Sequence, residues 1–195
     1  MRLLARALAA ATLLSAIGVA GLSASASAAT KCPTRSTKAA FSQWGDQNQY
    51  FVANNGRFEA GAKDWTLLGG ARVVTDQAPW KINGANDSKA LQLPAAATAE
   101  SVSICVAANE ESLRFFYKSP GTGSLKVRMD VDDDTGSASS VFGFGTSQQG
   151  WGVSPIIKLP SLRDADGDQW IVLTFEATGG TWLVDDVMVD PWITR

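Results

Sequence analysis

The sequence predicts an all-β protein, an antiparallel β-sandwich or jelly roll, on three observations. From Gln49 onward the apolar residues recur at every second position, the period of a strand with one buried face. Turn signals such as Asn55-Gly56, Gly69-Gly70, Asn83-Gly84, Pro120-Gly121, Asp166-Gly167 and Gly179-Gly180 punctuate these runs at short intervals. No segment after Ala40 carries a 3.6-residue apolar stripe over three turns. Eight to eleven strands with short connections give one domain, with no internal repeat and no interdomain linker.

The first residues stand apart from that pattern. Arg2 and Arg6 give a positive start, residues 7–22 carry no charge, and Ala26-Ser27-Ala28 fits a small-x-small cleavage site, so residues 1–28 read as a signal peptide. The uncharged run of sixteen is short of the roughly 20 residues that span a bilayer, an uncleaved anchor being the alternative. The mature chain is expected to be secreted, with no membrane contact after cleavage. Residues 29–40 are small and polar, a tether, and residues 41–195 form the domain.

Within the domain, short strands are expected at 50–53, 65–68, 71–75, 90–93, 141–144 and 155–158. In 101–106 the apolar set is Val102, Ile104 and Val106, which turns Cys105 to the other face. In 112–119 Leu113, Phe115 and Tyr117 alternate with Arg114, Phe116 and Lys118. The clearest strand is 124–131, with Leu125, Val127, Met129 and Val131 inward and Lys126, Arg128 and Asp130 outward. Ile171, Leu173 and Phe175 share a face in 169–178, and Leu183, Val187 and Val189 share one in 181–189. Asp185 has the parity of that last set and is expected to point at the core, where an unpaired carboxylate costs several kcal/mol.

Composition excludes much chemistry. The chain of 195 residues has no His and two Cys, which removes Ser-His catalysis, His-zinc sites and a four-thiolate zinc site. Glycosidase chemistry needs two placed carboxylates, and none of the 19 acidic residues forms a marked pair, so no enzyme is expected. Without residues 1–28 there are 15 basic and 19 acidic side chains, a net charge of −4 that disfavours nucleic acid as a partner. The sequence carries no signal for oligomeric state. Export favours oxidation, so Cys32 and Cys105 are expected to pair, closing a loop of about 74 residues.

Two stretches carry a resemblance: Asn55-Gly56-Arg57-Phe58-Glu59-Ala60-Gly61 with Trp65 downstream, and Trp182-Leu183-Val184-Asp185-Asp186-Val187 in the final strand. They resemble the opening and closing segments of secreted galactose-binding-like jelly-roll modules, especially cellulose- and xylan-binding modules. The order of Trp44-Gly45-Asp46, Gly69-Gly70-Ala71, Leu113-Arg114-Phe115-Phe116 and Val189-Asp190-Pro191 is also similar to a group of secreted actinobacterial proteins. The resemblance implies a structural Ca²⁺ held by Glu59 with Asp185 or Asp186 and backbone carbonyls, a ligand set that suits a hard cation. In the competing reading Asp185 and Asp186 accept hydrogen bonds from the backbone of residues 55–61 with no metal. Two other acidic runs, Asp130 to Asp134 and Asp164 to Asp168, lack the EF-hand Gly and Glu and read as hairpin turns.

Sugar recognition uses aromatic faces with a few polar groups fixing orientation. Trp65, Trp170 and Trp182 fall on strands and are expected to be buried, whereas Trp44, Trp80, Trp151 and Trp192 fall in loops or at ends. Trp80 and Trp151 are the candidate platforms, each with a packing role as its competing reading. A polar strand face formed by Arg114, Lys118, Lys126, Arg128 and Asp130 is the candidate surface that would supply Arg114 and Arg128 to a ligand. The sequence therefore supports a non-catalytic carbohydrate-binding-like module whose partner is a polysaccharide or cell-surface glycan. The alternative is a secreted structural or surface-interaction protein with no sugar ligand.

Overall fold

The computed structural model describes residues 32–133, 136–145, 149–161 and 167–190. The expected signal peptide at 1–28, the start of the tether, Asp134, Asp164, Asp166 and Trp192 lie outside them. The described residues form two antiparallel sheets and a single 3₁₀ turn at Ser42–Trp44. The strands are β1 Phe51–Val52, β2 Trp65–Leu68, β3 Arg72–Thr75, β4 Lys89–Leu93, β5 Thr98–Ser101, β6 Ile104–Val106 and β7 Ser112–Pro120. They continue with β8 Ser124–Asp133, β9 Gly136–Gly145, β10 Gln149–Val153, β11 Ile157–Lys158, β12 Gln169–Thr178 and β13 Trp182–Asp190.

Sheet one runs β10-β7-β13-β4-β3, with β1 added to β13 and β11 to β7. Sheet two runs β2-β5-β12-β8-β9, with β6 added to β12. The protein is an all-β jelly-roll sandwich. Its core takes alternate residues from both sheets: Val127, Met129, Leu173 and Phe175 from sheet two meet Leu91, Leu113, Phe115 and Val184 from sheet one. Burying each such side chain stabilises by about 1.5–3 kcal/mol. Alternation therefore fixes which residues are left on the two outer faces.

Three expectations are corrected. Residues 101–106 are not one strand: Ala99 points inward from β5 and Ile104 and Val106 from β6, and the phase slips between them, leaving Val102 45% exposed. Trp151, expected in a loop, lies on β10, a strand hidden from period-two reading by Gly150 and Gly152. In β13 a register shift between Asp185 and Met188 changes parity. Trp182 and Val184 face the core before it, and Val187 and Val189 after it. Asp185 therefore lies on the outer face of sheet one, opposite Phe116, and not in the sandwich core. Asp186 absorbs the shift with φ 48, a left-handed conformation that Asp tolerates better than most residues.

Cys32 and Cys105 are joined, with Cα atoms 5.4 Å apart. Cys105 points off the core face of β6, as its parity requires, and the bridge pins the tether to sheet two. Arg35 adds an ion pair to Glu110 at 2.7 Å and lies over the Phe51 ring at 4.0 Å.

Candidate functional site

The opening motif works as a structural clamp. Asn55 turns the chain at φ 46, and its amide donates to the carbonyls of Gly61 and Lys63 at 2.9 and 2.7 Å. Gly56 O accepts from Val187 N–H at the β13 bulge at 2.9 Å, and its own N–H donates to Ala53 O at 2.8 Å. Phe58 enters the core against Trp65, with ring centroids 5.3 Å apart. Glu59 accepts from Ser88 N at 2.7 Å, Lys89 N at 2.9 Å and Ser88 Oγ at 3.0 Å. Burial pushes its carboxyl up, but these hydrogen bonds outweigh burial and hold it below the usual carboxylate range.

Asp185 and Asp186 lie elsewhere. Asp185 accepts from Ala78 N at 2.8 Å and Asp186 N at 2.7 Å, and Asp186 accepts from the Asn83 amide. Their donors are thus not the backbone of residues 55–61. Asn83 also links the pair to Asp87, which is held by Arg57. Burial first, and Asp186 next, push the Asp185 carboxyl up to about 8. Burial likewise raises Asp186 to about 6 against the Asn83 hydrogen bond. Glu59 is engaged with Ser88 and Lys89 and does not join them. Among the described residues the one group of three metal-ligating types within 4.8 Å is Cys32, Cys105 and Asp168, two of which are the disulfide. Glu59, Asp185 and Asp186 thus do not bring three carboxylate oxygens within reach of one ion.

The two outer faces differ sharply. Sheet one is roofed by the loops around residues 39–50 and 76–83. Phe41, Tyr50, Ala78, Phe116 and Met188 form a second buried cluster beneath them. Trp80 packs on Phe116 at 4.9 Å between centroids and edge-on against Trp44 at 4.9 Å, so it is part of the roof. Lys38 Nζ donates to Ile82 O at 2.6 Å and joins the two roof segments. Arg114 pairs with Asp46 at 2.6 Å and Lys118 with Asp76 at 2.8 Å. Trp151 is half-buried beside Lys118, whose Nζ is 6.0 Å from the ring centroid.

Sheet two is bare on its outer side among the described residues. Register places Thr66, Glu100, Thr174, Arg128 and Val141 in one row across five strands, and Leu68, Thr98, Glu176, Lys126 and Gly143 in the next. At about 4.8 Å per strand each row is about 19 Å long. Lys126, Arg128, Val141, Thr174 and Glu176 line a groove of about 220 Å³. Arg128 pairs with Asp130 at 2.8 Å, and Asp130 accepts from Ser139 Oγ at 2.8 Å. Trp170 ends this face, 41% exposed against 6% for Trp65 and 0% for Trp182. It is paired in register with Cys105, so the disulfide stands beside it.

The expected polar face is therefore two faces. Arg114 and Lys118 lie on sheet one, Lys126, Arg128 and Asp130 on sheet two, on opposite sides of the sandwich. Trp80, Trp151 and Arg114 are grouped on the roofed side, and Arg128 is apart from them. Trp170 was expected to be buried because it lies on a strand. Its own parity against Ile171, Leu173 and Phe175 is the signal that turns it outward.

No protein-family model and no curated sequence matches the chain. Among solved structures it is similar to the enzymatically active domain of tailspike protein 4 of bacteriophage CBA120, with TM-score 0.51 and 17% identity over 70% of this chain and 21% of that one. The chain thus spans about a fifth of that tailspike chain. It is also similar to TmCBM61 in complex with β-1,4-galactotriose, with TM-score 0.41 and 20% identity over 70% of this chain and 94% of that one. A third is the family 11 carbohydrate-binding module from Clostridium thermocellum in complex with a β-1,3-1,4-mixed-linked tetrasaccharide, with TM-score 0.45 and 15% identity over 74% and 97%. At these identities the likeness is one of fold.

Proposed function

We propose that the chain is an exported, non-catalytic domain that binds a single polysaccharide chain across the outer face of sheet two. The observation that carries the reading is the bare ladder there, which ends at an outward-facing Trp170. A pyranose offers apolar C–H faces and equatorial hydroxyls. Trp170 supplies a plane for the first, and Arg128, Thr174 and Glu176 supply donors and acceptors for the second. Arg128 is paired with Asp130 and Lys126 with Glu176, so only Glu100 adds charge to these rows, and the face is close to neutral and suits a neutral glycan.

The test is affinity electrophoresis and calorimetry against soluble galactan, xylan and mixed-linked β-glucan. Binding to at least one is expected, with Trp170→Ala weakening it at least tenfold and Arg128→Ala several-fold, both at unchanged melting temperature. Trp80→Ala, which touches only the roof, is expected to leave affinity unchanged while lowering stability. Absence of binding across the panel, or wild-type affinity in Trp170→Ala and Arg128→Ala, would overturn the reading. The surface-interaction protein would then be the better description.

A further inference from the structure

On the opposite side of the sandwich, the geometry points to a second carbohydrate site, which we assign to one neutral sugar residue. A groove of about 440 Å³ runs between the loop Trp44 to Asn48 and the pair Arg114 and Ile156. It shares no residue with the sheet-two face.

The loop that builds it is held from beneath. Gly45 leaves the 3₁₀ turn with φ 81, and nothing lies within 4 Å of where a Cβ would be, so the backbone there is open to solvent. Trp44 is half-buried, braced edge-on by Trp80 and by Phe116 at 5.4 Å. Its indole N–H has no hydrogen bond among the described residues. Ile156, 54% exposed, supplies apolar surface on the opposite bank.

The polar groups between them are fixed but not used up. Asp46 and Arg114 have only 7% and 10% of their side chains exposed. Asp46 Oδ2 accepts from Tyr50 Oη at 2.7 Å and Arg114 Nη1 at 2.6 Å, while Oδ1 accepts only from Asn48 N at 3.1 Å. Arg114 donates from Nε and Nη2 to Ser154 O and from Nη1 to Asp46, three of its five N–H groups. A rigid carboxylate oxygen and a rigid guanidinium edge therefore border the groove with capacity left. Gln47, exposed and held only by a 3.4 Å contact to Ser42 O, adds an adaptable amide.

An aromatic plane, an apolar bank, one acceptor and several donors match the C–H face and hydroxyls of a pyranose. Asp46 and Arg114 neutralise each other, so a uronate or an amino sugar finds no countercharge.

The experiment is NMR of the mature domain with nitrogen-15 indoles, titrated with methyl β-glycosides of galactose, glucose and xylose at millimolar concentration. Methyl glucuronide is the charged comparator. A saturable shift of the Trp44 indole signal with at least one neutral glycoside is expected, and none with the glucuronide. Gln47→Ala, on the surface and outside the packed cluster, is expected to weaken that binding about threefold, whereas Trp44→Ala also loosens the roof. Trp170→Ala is expected to leave the Trp44 response intact, which separates this site from the sheet-two face. No response of Trp44 to any neutral glycoside would overturn the proposal, as would a response abolished by Trp170→Ala or a stronger response to the glucuronide.

Discussion

Asp186 combines a left-handed φ of 48, near-complete burial and a raised carboxyl pKa beside Asp185. The charges facing it are Lys38 and Arg57, which favour its ionised form, and Asp87, which opposes it. Near pH 3 and below both carboxyls are protonated in the folded and unfolded chain, and their burial carries no charge penalty. As pH rises, the unfolded chain releases these protons first while the fold retains them. Stability falls until pH passes about 6 for Asp186 and about 8 for Asp185. Asp46, Glu59 and Asp76 act in the opposite sense, because hydrogen bonds hold their carboxyls low against burial; their contribution is lost as pH falls below the ordinary carboxylate range. In chelator, the melting temperature is expected to peak in mildly acid solution and to decline towards pH 8.5. Asp186→Asn keeps an acceptor for Asn83, suits a positive φ and removes the charge. It should raise the melting temperature at pH 8.5, raise it less at pH 5, and leave it unchanged near pH 3, where the carboxyl is protonated in both states. An equal loss at pH 8.5 and pH 3 would show that shape, not charge, governs this position.

At the scale of elements, the β13 bulge and the clamp at residues 54–61 are two halves of one device. Ala53 N–H donates to Val187 O and Val187 N–H to Gly56 O, both at 2.9 Å. A Cβ on Gly56 would lie 2.6 Å from Val187 O and 3.0 Å from Val187 Cβ, closer than packing allows, and both atoms belong to a fully buried strand. Gly56→Ala is expected to destabilise the fold by about 1–3 kcal/mol, read as a lowered urea midpoint with an unchanged m-value. Gly45→Ala, where a Cβ meets nothing, should cost only its backbone strain. The bulge also explains what sequence reading could and could not reach. Where alternation is unbroken, as in β8 and β12, inward and outward residues follow directly from parity. One inserted residue at Asp186 reverses the parity of everything before it, and period-two reading across 181–189 then sends Asp185 into the wrong layer. Such an insertion leaves no mark in a run of aliphatic residues. Trp170 is the contrary case: the strand was legible and the outward parity was legible, and only the habit of burying tryptophan hid it.

Among the described residues the molecule is asymmetric across its core, one outer face roofed with aromatic residues and the other bare. What long-range pairing supplies was out of reach of local pattern: no spacing tells that residues 39–50 and 76–83 meet over Phe116, or that Arg114 and Arg128 part to opposite sides. The disulfide is the one long-range link that the sequence did announce, and it bears on both stability and the bare face. It joins positions 73 apart, so in the chain-entropy account it stabilises by up to about 4 kcal/mol. For a domain of this size that corresponds to a melting temperature about 10 °C lower on reduction. Its second effect is local. Cys105 is the cross-strand partner of Trp170, and Cys32 N–H donates to Asp168 Oδ2 at 2.9 Å two residues before that tryptophan. The bridge therefore supports one flank of Trp170, and Arg35 fastens the tether behind it through Glu110. Reduction, or the double replacement Cys32→Ser with Cys105→Ser, is expected to lower the melting temperature and to weaken polysaccharide binding several-fold at a temperature where the domain remains folded. The Trp170 indole signal should move and the Trp44 signal should not. If the melting temperature falls while affinity and the Trp170 signal stay fixed, the bridge acts on the unfolded chain alone and Trp170 is held by its own strand.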